Sequence, residues 1–99
     1  MSPVTAHAVV RWLERVRRVD LSRLPPEWSN LRRAQCGCDH LRMSLDDARE
    51  AILPSRLHCY LDLDPRAVRG ADRVLVVRER RVVTVLAAET RVLNQPEAA

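Results

Sequence analysis

The sequence predicts an α+β fold in which two or three N-terminal helices pack on a small C-terminal antiparallel β-sheet. Three observations carry this. Apolar residues recur at helical spacing through the first half, the periodicity changes to two after Pro54, and Arg73 to Leu86 is nearly all β-branched or Leu around Arg78-Glu79-Arg80-Arg81. Helices first and strands last, without alternation, is the order of an α+β chain. At 99 residues, 46% apolar and 30% charged, the chain suits one domain over 1–99 with a single core.

Thr5 is placed to cap a first helix from Ala6 to Arg18, whose Val9, Trp12, Leu13 and Val16 share one face. The Pro25-Pro26 pair breaks the chain, and Pro26 can open a second helix through Trp28 and Leu31 to about Gln35, with Gly37 as its stop. Ser44 and Asp47 have capping-box spacing for a third helix carrying Ala48, Ile52 and Leu53 until Pro54. Leu57, Cys59, Leu61 and Leu63 alternate with His58, Tyr60, Asp62 and Asp64, which predicts a strand with one buried face. Pro65 to Gly70 reads as a turn, Arg73 to Leu86 as a hairpin buried on both faces or nearly so, and residues 94–99 as a frayed tail.

No stretch reaches the roughly 20 apolar residues of a membrane span, and Met1 to Trp12 lacks the pattern of an export leader, so the expected location is the cytoplasm of a bacterial-type cell. All 17 basic residues are Arg against 13 acidic residues, giving a net charge of +4. Arg presents a planar donor fork suited to phosphate, and the same excess also follows from the codon bias of a GC-rich genome. Trp12, Trp28 and Tyr60 are the sole aromatics, too few to predict an aromatic platform for stacking bases. There is neither a Gly-rich phosphate loop nor the nucleophile elbow of a Ser hydrolase.

Two groups of residues could carry chemistry. His7, Arg11, Glu14 and Arg18 fall on one stripe of the first helix, opposite its apolar face. Imidazole can move a proton near neutral pH while guanidinium balances charge on a phosphodiester, although a stripe of charges is also what any solvated helix face shows. Cys36, Cys38 and His40, with His58 and Cys59 further on, are ligand types that zinc prefers, but their spacing is not that of zinc knuckles or ribbons. An odd count of three Cys argues for reduced thiols or a metal site over disulfides. The reading takes no cofactor and no metal, with Cys36, Cys38 and His40 as the fallback zinc ligands.

Thr5-x-His7-Ala8-x-x-Arg11-x-x-Glu14-Arg15, followed by Arg73-Val-Leu-Val-Val-Arg78 and Val82-Val-Thr84-Val85, resembles small proteins grouped with the RelE-like toxins. These belong to the barnase, EndoU, colicin and RelE superfamily of metal-independent endoribonucleases. The resemblance covers about 35 residues at the two ends of the chain. It implies a RelE-like domain with His7 as general acid or base, Arg11 and Arg78 as phosphate clamps, and Thr84 as a hydroxyl orienting ribose or phosphate. It also implies an RNA substrate and a cognate antitoxin over the basic face. Relatives tend to have Asp-Gly where this chain has Glu79-Arg80, and Trp28 to His40 has no placed counterpart. An inactive relative is compatible with the same resemblance. So is a different class altogether: a non-enzymatic interaction or adaptor protein of phage or mobile-element origin with an Arg-rich binding surface.

Overall fold

The computed structural model describes residues 2–87; the tail expected at 94–99 lies outside them. Within them the order is α1 (Ala6–Arg15), α2 (Asn30–His40), α3 (Leu45–Ile52), a 3₁₀ segment (Ser55–Leu63), then β1 (Ala67–Arg69), β2 (Arg73–Arg78) and β3 (Arg81–Ala87). The strands form one antiparallel sheet in the order β1-β2-β3, so the helices precede the sheet and the fold is α+β.

Thr5 caps α1, its hydroxyl accepting from the Ala8 N–H at 3.1 Å. The same residue joins α1 to the sheet. Thr5 N–H and hydroxyl both donate to the Val82 carbonyl, at 3.1 and 3.0 Å, and Val82 N–H donates to the Pro3 carbonyl at 2.8 Å. Val4 therefore lies parallel beside the start of β3, and Val4 is itself buried. α1 packs on β3 and α2, burying Ala8, Val9, Val10, Trp12 and Leu13. It ends at Arg15, one turn before the expected Arg18, in a reversal closed by Val19 N–H on the Leu13 carbonyl. Arg18 takes the positive φ (58°) that Gly usually supplies at such an end.

α2 departs most from expectation. Pro25 to Trp28 forms a turn, Ser29 caps the helix, and Gly37 sits inside it instead of ending it. The reason is tertiary: a Cβ on Gly37 would lie 2.7 Å from Leu13 Cδ1, and Leu13 is fully buried. Gly37 is there so that α1 and α2 can approach, which outweighs the helix propensity of about 1 kcal/mol that Gly forfeits. α3 carries the capping box expected of it, with Ser44 and Asp47 bonded reciprocally. Its C-terminal carbonyls at Ala51 and Ile52 accept from the Arg73 guanidinium, which fastens α3 to β2.

The strand expected over 57–63 is a 3₁₀ segment, and the turn expected over 65–70 contains the short edge strand β1. Leu61 alone of the alternating set is buried, Leu57 is half-buried, and Cys59 and Leu63 face solvent. A run of four apolar residues at every second position fits either conformation, and here burial selects positions 57 and 61. The segment starts with both Ser55 N–H and hydroxyl on the Glu50 carboxylate and ends at Asp64 with φ 51°.

β2 and β3 form the expected hairpin, with Arg78 opposite Arg81 and a two-residue loop at Glu79-Arg80. Both loop residues have positive φ, 53° and 61°, the requirement of the tight type I′ connection. An L-residue with a Cβ pays roughly 1–2 kcal/mol for this conformation. Replacing Glu79-Arg80 with Asn-Gly is therefore expected to stabilise the chain by about 1 kcal/mol. The check is a denaturant midpoint that rises at unchanged slope; an unchanged or lower midpoint would mean the native pair makes offsetting interactions.

Candidate functional site

The α1 stripe is assembled by a short polar chain. Arg11 Nε donates to His7 Nε2 at 3.5 Å and Arg11 Nη1 donates to Glu14 Oε1 at 3.1 Å. Helical spacing of four and three residues sets these pairs side by side. With Nε2 accepting, the neutral ring carries its proton on Nδ1. The stripe is not wholly solvent-facing: Arg11 and Glu14 side chains are 39% and 31% exposed, and His7 is half-buried. Arg18 lies beyond the helix end and does not continue the stripe.

Burial is the largest influence on His7 and pulls its pKa below the ordinary value of about 6.5. The Arg11 and Arg15 cations pull in the same direction, and the Glu14 carboxylate opposes them. The ring is thus neutral at pH 7, the form able to accept a proton. Arg15 was not singled out by sequence reasoning as a site residue, yet it ties the stripe to the sheet: its Nη1 donates to the Val85 carbonyl at 3.0 Å. Its spacing of four from Arg11 was the available signal.

The sheet candidates sit elsewhere. Leu75 pairs with Val85 and Val77 with Val82, and these four side chains belong to the core beneath α1. Val76 pairs with Thr84, and neighbours along a strand point to opposite faces, so Thr84 projects from the face opposite α1. A bulge decides this. The register shifts between Val76 and Val77, so that Val82 and Val85, three residues apart, share the buried face while Thr84 leaves it. Arg78 belongs to Thr84's face by the same alternation. Its guanidinium is turned to the hairpin base, donating to the Val77 carbonyl at 2.7 Å and the Arg66 carbonyl at 3.4 Å, beside a cleft of about 330 Å³ with Asp64 and Glu79. The structure brings His7 and Arg11 together and places Arg78 and Thr84 on the other side of the sheet.

The Cys and His residues do not make a zinc centre. At about 100° per residue, Cys36 and Cys38 lie on nearly opposite faces of α2. Cys38 is buried in the core, and burial first, then the Asp39 carboxylate, push its thiol pKa up. His58 Nε2 lies 3.3 Å from the Leu53 carbonyl, and Cys59 is exposed. Among the described residues no three His, Cys, Asp or Glu side chains converge as metal ligands. His58, Tyr60 and Asp62 lose their expected strand to the 3₁₀ segment, where Tyr60 and Asp62 are exposed and His58 is partly buried.

Compared with models of known families, with curated proteins and with solved structures, the chain matches none.

The pull on His7 has a measurable consequence. A base whose folded pKa lies below its unfolded one resists protonation in the native state. The stability this confers is fully present above about pH 6.5 and is lost as pH falls from there through the folded pKa. In an NMR titration, His7 should have a midpoint below 6.5, and Arg11→Leu should move that midpoint upward. A midpoint at or above 6.5, or one that Arg11→Leu leaves in place, would contradict this account of the stripe.

Proposed function

We propose that the chain is a RelE-like endoribonuclease, the toxin of a toxin–antitoxin pair or an inactive relative of one, whose working groups are His7 and Arg11 on α1. The single observation that carries this reading is the pair itself: an imidazole held neutral near pH 7, with a guanidinium 3.5 Å away, on a half-exposed stripe. In the reaction that suits such a pair, His7 Nε2 takes the proton from a ribose 2′-hydroxyl. The 2′-oxygen attacks the adjacent phosphorus, and the bond from phosphorus to the 5′-oxygen breaks. The leaving oxygen takes a proton from water and protonated His7 returns its own to solvent, giving a 2′,3′-cyclic phosphate and a 5′-hydroxyl. Arg11 neutralises charge building on the non-bridging oxygens. For this Arg11 exchanges its contacts with His7 Nε2 and Glu14 for phosphate, which frees the Nε2 lone pair for the 2′-hydroxyl proton. Arg78 and Thr84, on the opposite face, take no part in this step and at most hold RNA away from the scissile bond.

A second reading is favoured by that same separation. A catalyst needs its groups within reach of one reacting centre, and two of the four candidates are across the sheet. The face they occupy carries Val76, Thr84 and Leu86 with Arg69, Arg78 and Arg81 around them, which suits a non-enzymatic interaction or adaptor protein that engages an acidic partner. Either activity belongs in the cytoplasm, where RNA and an antitoxin would be met. Among the described residues no helix is long and apolar enough to cross a membrane.

The two readings separate in one assay. Purified protein incubated with RNA in excess EDTA should yield fragments ending in 2′,3′-cyclic phosphate, and His7→Ala should slow this by about 100-fold or more. Expression alone should slow growth, with relief by His7→Ala and by Arg11→Ala. Intact RNA together with unaffected growth would overturn the active nuclease and leave an inactive relative or the binding reading.

A further inference from the structure

Cys36 and His40 were grouped with Cys38 by sequence, but the fold separates the three in a way that points to different chemistry. α2 carries Cys36 and His40 four residues apart, hence on one face, and both line a cavity of about 280 Å³ between α2 and the Val19–Leu24 connection. Cys36 is partly buried and His40 exposed. Among the described residues neither side chain has a hydrogen-bonding or ionic partner. Cys38, turned into the core, is withdrawn from the cavity altogether.

The number of ligands decides the metal. With only a thiolate and an imidazole on offer, the tetrahedral centre that structural zinc requires is not completed among the described residues. The facing wall does not supply more. Asp20 lines the cavity but spends one carboxylate oxygen on Ser22, whose N–H and hydroxyl donate to Oδ1 at 2.9 and 2.5 Å. Arg23 lines it too, and its positive charge offsets that of the carboxylate, so the cavity offers no net negative field to hold a hard divalent ion. Two ligands alone, a thiolate and an imidazole, instead suit a soft d¹⁰ monovalent ion. Side chains four apart on a helix have Cβ atoms about 5–6 Å apart.

We propose that Cys36 Sγ and His40 bind one soft monovalent cation of the Cu(I) and Ag(I) class. Binding forms a metal–sulfur and a metal–nitrogen bond, releases the Cys36 thiol proton to solvent and involves no change of oxidation state. The site is independent of the α1 stripe, since it uses neither its residues nor its face.

The test uses the full chain with Cys59→Ser, because Cys59 is an exposed thiol that would also take up the ion. Silver nitrate is titrated in while near-ultraviolet thiolate-to-metal absorption and the NMR signals of the His rings are followed. The expected result is saturation at one equivalent, with the His40 ring signals shifting in step. Cys36→Ser abolishes the absorption, and His40→Ala weakens binding by about tenfold or more while the fold, checked by circular dichroism, is kept. Silver bound without any movement of the His40 signals, or an affinity unchanged in His40→Ala, would reduce the site to a single thiol and overturn the proposal. So would absorption that persists in Cys36→Ser.

Discussion

One residue, Thr5, holds the first helix and the edge of the sheet at the same time, and the rest of the arrangement depends on that junction. Its hydroxyl accepts from Ala8 and donates to the Val82 carbonyl, which also receives the Thr5 N–H. The hydroxyl can do both because it is donor and acceptor at once. Capping alone would leave α1 free to pivot, and strand pairing alone would leave its first turn unsatisfied. Joined, they lay α1 along β3, and Arg15 completes the seam by reaching the Val85 carbonyl one helical stretch further on. Val9 and Leu13 are thereby pressed against Val82 and Val85 in one core.

The seam also determines what the α1 stripe can be. Because one side of the helix is sealed to β3 and another to α2, the polar chain from His7 through Arg11 to Glu14 is left on a strip between covered surfaces. That partial cover removes water from His7 and keeps two cations close to it. The same helix freely exposed would carry an imidazole that protonates in the ordinary range.

Features set by neighbours in sequence were legible before the structure. Thr5 as a cap, the Ser44–Asp47 box and the Arg73–Leu86 hairpin are each fixed by residues within a few positions of one another. What was not legible came from contacts far along the chain. Gly37 reads as a helix stop, and only the approach of Leu13 explains it inside a helix. β1, three residues long and mostly exposed, has no pattern of its own and exists because β2 offers an edge. The pairing of candidates failed for a similar reason. Val82 and Thr84 are two apart, which in a regular strand means one face, and the bulge opposite Val76 and Val77 cancels that parity. Cys36 and Cys38 were likewise separated by a helix that continues through Gly37, where the sequence suggested that the helix stops.

The seam between α1 and β3 is part of the cooperative core and not a contact made after it. Native-state hydrogen exchange measures this directly, since the Thr5 and Val82 amides donate into the junction itself. They are expected to open with the same free energy as the Leu13 amide inside α1, that is, only when the whole domain unfolds. Exchange of Thr5 and Val82 at a much lower free energy than Leu13 would show the junction opening on its own, and α1 would then be held to the sheet by something else.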